Sequence, residues 1–384
     1  MTRADSFITQ ATEQTGLSDF GPDSFREGLD VFCDSAFEEA ALTELGEAAV
    51  GATVVNSLCN RLRVFDWAKQ HPQVSGESID APLIVIGMFR AGTTLLSNLL
   101  DQDPENRSLL RWESSDSVPP PTPDDFRSGP RVEAARAEIY MLEQLNPKAI
   151  AIHHEDAEGP TECIAVMSQD FKSLSWEAIA NVPSYGSWLQ NTDQESAYSY
   201  HRTVLQILQS GGVRGRWTLK SPHHATALES LREVYPDARL VVIHRDPVVL
   251  CASVFSLIST LSSTFSDADH TRYITAHWAD ILELSISRLE NFRTAHPDQC
   301  IVDVRYDDLT RDPVGTVAGI YERSGRALGE EATSRMLSYL SAHPKGHLGE
   351  HRYDLTEFGV ERDEVMERFG DYAARYGVGG GAAG

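Results

Sequence analysis

Apolar positions along this chain follow two different periods, and the change from one to the other marks its organisation. Between Phe25 and Lys69, Leu29, Phe32, Ala36 and Ala40, and then Val54, Leu58, Leu62 and Phe65, recur at helical spacing. That spacing predicts an N-terminal helical layer. His71-Pro72 and the polar run to Asp80 read as a linker. At Leu83 the pattern switches: Leu83 to Ile86 is a short unbroken apolar run rich in β-branched residues, as expected of a fully buried strand. It meets a glycine-bearing turn, Gly87-Met-Phe-Arg90-Ala-Gly92-Thr93-Thr94, after which Leu95, Leu96, Leu99 and Leu100 share one helical face. The unit reads strand, loop, helix.

Further on, the alternation repeats. Arg216 to Lys220 predicts a strand that ends in Ser221-Pro222-His223-His224, with a helix running to Tyr235. Arg239 to His244 predicts another, ending in Arg245-Asp246-Pro247, where Asp246 caps and Pro247 opens the next helix. Ile274, Trp278, Ile281, Ser285, Leu289 and Phe292 form one stripe of a helix from about Thr271 to Phe292, a core face. A last strand, Ile301 to Arg305, leads into Tyr306-Asp307-Asp308-Leu309, and closing helices end near Tyr376. Strands alternating with helices imply an α/β fold with a parallel sheet, ligands gathering at the strands' C-terminal ends. Between the first helix and Arg216 lie a Pro-rich loop, Val118 to Pro123, and helical patterns at 131–145, 162–179 and 197–209. The expected organisation is a helical layer over 1–80, a sheet domain over 81–377 carrying a helical insertion at 105–214 that holds an acceptor pocket, and a disordered Gly/Ala tail over 378–384.

Composition narrows the function classes. The 384 residues carry a formal net charge of -24, which repels nucleic acid and anionic membrane surfaces, so a polyanionic ligand needs a local basic focus. Cys33, Cys59, Cys163, Cys251 and Cys300 are scattered, without CxxC or metal spacing, as for reduced thiols in a cytoplasm. The start, MTRADSFITQ, has no apolar signal core, and no apolar stretch reaches membrane-spanning length before a charge or proline interrupts it. A soluble cytoplasmic protein is expected, with its oligomeric state open.

The candidate chemistry centres on the first loop. Backbone N–H groups of such a turn, with the positive end of the helix that follows, hold an anion. The spacing GxxxxG matches a nucleotide-binding P-loop, yet Thr93 stands where the phosphate-binding Lys belongs. A kinase needs that Lys together with Mg²⁺; here the cation lies inside the loop as Arg90. Lys220, Arg245 and Tyr306 also fall just past predicted strand ends. Sulfuryl transfer, the activity implied by the resemblance described below, needs cations on a phosphosulfate and relief of charge on the departing oxygen, for which these cations and the helix N–H groups suffice without a metal. It also needs a base for the acceptor hydroxyl, which must come from elsewhere. A P-loop kinase acting on a small molecule and a non-catalytic nucleotide-binding protein are the other two readings.

Strand, RAGTT and helix together resemble the sulfotransferases that use 3′-phosphoadenosine-5′-phosphosulfate (PAPS), nearest to their bacterial branch, with similarity to the tyrosylprotein and cytosolic enzymes. The likeness covers most of 82–377. It implies transfer of a sulfuryl group to a hydroxyl of a small molecule, lipid or natural product, releasing adenosine-3′,5′-bisphosphate without a metal. It assigns Phe89, Arg90, Ala91, Gly92, Thr93 and Thr94 to the 5′-phosphosulfate, Arg245 and Ser253 to the 3′-phosphate, Tyr306 to the adenine, and Lys220 to the leaving phosphate. Lys345-Gly346 and Arg352-Tyr353 resemble the segment that closes over the 3′-phosphate in cytosolic relatives. The base has three candidates, in the order Glu113, His224, then His153 and His154. The histidine that cytosolic enzymes place two residues after the lysine is replaced here by Pro222.

Overall fold

The structure is a computed structural model, and it describes residues 1–148, 156–344 and 354–379. The chain forms two compact units: one from Met1–Ile79, Leu109–Arg214 and Thr260–His270, the other from Asp80–Ser108, Gly215–Ser259 and Thr271–Gly384. The N-terminal segment and the middle helical segment, expected as separate parts, thus fall within one unit.

That helical unit begins with Arg3–Thr15, Ser24–Glu38 and Glu44–Gln70. Thr2 and Asp5 cap the first helix reciprocally, and the Thr43 side chain caps the third by accepting from the Gly46 N–H. Leu29, Phe32, Ala36, Val54, Leu58 and Leu62 are all buried, as their spacing predicts. Arg111–Ser115, Pro130–Leu145, Pro183–Asn191 and Glu195–Ser210 follow. The single helix expected over 162–179 is broken into Ile164–Met167, a 3₁₀ turn at Ser168–Asp170, and Ser175–Ile179. The break has a cause: Asp170 turns inward to pair with Arg61 at 3.0 Å and to accept from Ser24 and Ser196, and Phe171 takes a left-handed backbone to follow it.

The second unit is built on a five-stranded parallel sheet. Its strands are β1 (Leu83–Gly87), β2 (Asn106–Ser108), β3 (Arg216–Lys220), β4 (Arg239–His244) and β5 (Ile301–Arg305), in the order β2-β3-β1-β4-β5. Every β1 residue is buried, because both neighbours and both faces are covered. In register, Val85 lies opposite Lys220 and Gly87 opposite Ile243, so β3 ends two residues short of β1 and β4 one residue beyond it. Chain order reverses beside β1, the place where open α/β sheets bind ligands. Helices Thr93–Leu100 and Thr271–Ala295 and most of Pro247–Ser262, as far as Ser259, belong to this unit, and all six stripe residues of Thr271–Ala295 are buried. The helix expected to reach Tyr235 is split into a 3₁₀ turn, Pro222–Thr226, and Leu228–Val234. The closing helix, Arg362–Tyr376, ends on a left-handed Gly377, and the Val378 N–H returns to the Ala373 carbonyl at 2.9 Å, so order extends at least two residues beyond the helix.

Candidate active site

β1 delivers the chain into the loop at Gly87. A Cβ there would sit 2.6 Å from the Thr93 methyl, so the strand can meet the helix start only through glycine. The loop then turns on two left-handed residues, Arg90 at φ +67° and Gly92 at φ +95°. Gly92 is doubly constrained, since a Cβ would also lie 2.7 Å from the Tyr306 ring. Ala91 closes the turn with a hydrogen bond to the Met88 carbonyl, and Phe89 packs edge-on against Trp278. Thr93 opens the helix, and Gly92, as N-cap, offers no side chain to its first N–H groups. Those groups and the helix dipole make this end a receiver for an anion.

Arg90 is a non-glycine residue in a backbone region that is unfavourable by about 1–3 kcal/mol. Two contacts hold it. Its carbonyl accepts from the Arg245 guanidinium at 2.6 Å, and its own Nε donates to Ser253 Oγ at 3.1 Å. The Arg245 guanidinium in turn lies 3.9 Å above the Tyr306 ring, the same ring that packs on Gly92. Arg90, Gly92, Arg245, Ser253 and Tyr306, which the sequence places in three separate segments, therefore form one connected cluster. Each is delivered by a strand end: Arg245 follows β4, Tyr306 follows β5, and Ser253 sits on the helix that Pro247 begins, with Asp246 Oδ1 accepting from the Val248 N–H at 2.9 Å.

Lys220 ends β3, and only 2% of it is exposed. A charge buried that deeply requires compensating partners. His224 is also buried, on the 3₁₀ turn after β3, beside His223, whose pKa burial drives down to about 3, with the nearby Arg288 charge adding to the effect. Glu113 belongs to the helical unit. It is fully buried, and its Oε2 accepts the Leu110 N–H at 3.0 Å, closing the short helix Arg111–Ser115. His153, His154, Lys345 and Arg352 lie outside the described residues.

Two neighbours of the cluster went unread in the sequence. The Arg245 N–H is held by the hydroxyl of Tyr372, and His244 lies between that hydroxyl and Asp303. Tyr372 is 127 residues from Arg245, so no local spacing could have paired them. His244, immediately before Arg245 at the end of an apolar strand, was the available signal. Among the described residues, no group of three or more His, Cys, Asp or Glu is placed to hold a metal ion.

A parallel α/β sheet with an anion-receiving loop at its switch point, lined by arginines and hydroxyls, defines a group-transfer fold of the P-loop type. A sequence model of the sulfotransferase family matches residues 82–330, and the chain belongs to that family. It is similar to the sulfotransferase STF9 of Mycobacterium avium, with 34% identity, coverage of 98% of this chain and 97% of that one, and a TM-score of 0.91. The corresponding values for sulfotransferase STF1 of Mycobacterium tuberculosis H37Rv are 33%, 96%, 98% and 0.86. The omega-hydroxy-beta-dihydromenaquinone-9 sulfotransferase Stf3 of Mycobacterium bovis is 24% identical over 314 residues, 78% of this chain and 75% of that protein.

Proposed function

We propose that the protein transfers a sulfuryl group from PAPS to a hydroxyl of an uncharged small molecule, lipid alcohol or natural product. The observation that carries this reading is the grip of Arg245 and Ser253 on Arg90. It joins the residues assigned to the donor's 3′-phosphate to the cation assigned to its 5′ end. The donor supplies an activated S–O bond: the acceptor oxygen bonds to sulfur, the bridging bond breaks, and adenosine-3′,5′-bisphosphate leaves. Loop N–H groups, Arg90, Thr93 and Thr94 bind the phosphosulfate, Arg245 and Ser253 bind the 3′-phosphate, and Tyr306 packs near the adenine. Lys220 neutralises charge growing on the departing phosphate oxygen. Glu113 takes the acceptor proton, with one oxygen oriented by the Leu110 N–H. His224 is the second candidate for that proton, and His153 with His154 the third. Lys345 and Arg352 are assigned to closing over the 3′-phosphate.

The acceptor reading rests on the helical unit. It contains a cavity of about 610 Å³ lined in part by Thr53, Asn56, Arg111, Trp112, Ile164 and Trp176, a size suited to one drug-sized group. The Arg111–Glu138 and Arg131–Asp116 pairs balance charge along its wall, which favours an uncharged acceptor. Stf3 is named for a hydroxylated menaquinone derivative, and that supports a lipid alcohol among the candidates. A cytoplasmic location is part of the reading: none of the five cysteines is in a disulfide, and among the described residues no helix is long and apolar enough to cross a membrane.

The test is calorimetric. Adenosine-3′,5′-bisphosphate should bind without magnesium, and Arg90→Ala should weaken it by at least ten-fold, the loss of a charge-assisted contact. Labelled PAPS with a cell extract should yield a labelled product. Tighter binding of ATP with Mg²⁺ than of the bisphosphate would instead favour the kinase reading.

A further inference from the structure

We propose that Tyr372, on the closing helix, is a positioning residue that sets Arg245 for the donor's 3′-phosphate, at the end of a polar chain running from Arg293 through Asp303 and His244. The inference rests on the reading of Arg245 given above.

The chain is continuous. Arg293 binds the Asp303 carboxylate, with one contact at 3.1 Å; Asp303 Oδ1 lies 2.8 Å from His244 Nε2; His244 Nδ1 lies 3.3 Å from the Tyr372 hydroxyl; and that hydroxyl lies 3.4 Å from the Arg245 main-chain nitrogen. One donor order serves every link from Asp303 to Arg245. Nε2–H of His244 donates to the carboxylate, Nδ1 accepts from the Tyr372 O–H, and the Tyr372 oxygen accepts from the Arg245 N–H. Burial works against the charge of Asp303, but its hydrogen bonds to His244 and Arg293 outweigh that and hold the carboxyl below its ordinary value. Burial also pushes the Tyr372 phenol well up, keeping its proton in place to donate.

The location gives the chain its purpose. β4 and β5 pair as far as His244 and Arg305, and Arg245 is the first residue beyond. There the closing helix supplies Tyr372 as acceptor for the N–H. It also clamps the ring of His244: Tyr376 stacks on it at 3.6 Å and 10°, while its hydroxyl bonds Glu290. Arg245 is thus fixed at both ends, its backbone by Tyr372 and its guanidinium by the Arg90 carbonyl and Tyr306. A long flexible side chain loses less entropy on binding when its root and its head are already placed.

The test compares two nucleotides on the full chain, adenosine-3′,5′-bisphosphate and adenosine 5′-monophosphate, by calorimetry. Tyr372→Phe keeps the ring and removes the hydroxyl. It should weaken the bisphosphate about five-fold, the worth of one hydrogen bond, leave the monophosphate unchanged, and raise KM for PAPS by the same factor. An unchanged affinity ratio, or equal weakening of both nucleotides, overturns the inference. Should Tyr372→Phe fail to fold, Asp303→Asn decides by the same ratio. Arg245→Ala separates the two levels of the argument. If it leaves the ratio intact, the 3′-phosphate reading falls and the inference with it; if it collapses the ratio while Tyr372→Phe does not, only the inference falls.

Discussion

Arg90 shows how a residue can be legible in kind and illegible in conformation. Its place between Gly87 and Gly92, before Thr93 and Thr94, marks it as the loop's cation. Nothing in that spacing says that its backbone is left-handed, because arginine rarely adopts that region and the compensation comes from Arg245 and Ser253, about 160 residues away. Lys220 and Tyr306 were located by a different signal, Lys220 at the end of a predicted strand and Tyr306 directly after one. Two other residues govern acid sensitivity. His201 in the helical unit and His223 after β3 are both held neutral by burial, with pKa values near about 3 against about 6.5 in an unfolded chain. Their neutral forms are fully compatible with folding above pH 6.5. As pH falls towards 3 the unfolded chain takes up protons that the folded one refuses, so stability drops by about 1.4 kcal/mol per pH unit for each. Denaturant midpoints at pH 7.5 and 5.5 should show this loss, and His201→Gln should flatten it relative to the parent.

At the scale of elements, β1 and β4 were readable as apolar runs, and β3 and β5 as short segments with apolar residues at alternate positions, Trp217 with Leu219 and Val302 with Val304. β2 was not. Asn106-Arg107-Ser108 is polar throughout, and its strand exists because the Arg107 guanidinium lies 4.6 Å from the Trp217 ring and Ser108 Oγ reaches Thr218 Oγ1 at 3.1 Å, contacts that form only after β3 is in place. Pro183–Asn191 escaped for a different reason, its helical face being made of aromatics and glycine in a short segment. The broken helix over 162–179 identifies a strong point of the helical unit. Arg61 and Asp170 are 1% and 0% exposed as a pair, and the guanidinium lies against Phe25, Phe65 and Tyr200. Removing one partner leaves the other charge buried, so Arg61→Ala or Asp170→Ala should destabilise the protein by about 3–5 kcal/mol in urea unfolding. Replacing both should cost less than the sum of the two.

For the whole molecule, the grouping in space does not follow chain order. Segments 1–79, 109–214 and 260–270 gather into one unit, and the short last segment joins by specific ties: Thr43 N–H to the Phe265 carbonyl, and the Asn146 side chain to Thr260 and Thr264. Such ties depend on folding, and no linear pattern announces them. Net charge, by contrast, is wholly legible. At -24 the protein's net field opposes an anionic acceptor, while the proposed donor is drawn in by local cations, Arg90 with Arg245 and Lys220. Labelled-sulfate incorporation should therefore be measurable with uncharged alcohols and at background with heparin-type oligosaccharides, even at low ionic strength. Sulfation of the polyanion at a comparable rate would remove charge as a selector.

The bond from Arg90 to Ser253 carries one more consequence. Residues assigned to opposite ends of the donor touch each other, so the two ends are not recognised independently. Under the proposed assignment, a nucleotide that lacks its ribose phosphate leaves Arg245 and Ser253 unengaged, and through them alters the restraint on the loop assigned to the departing group. Truncating the donor at one end is then felt as slower chemistry at the other, which lets the enzyme reject incomplete donors by rate as well as by affinity.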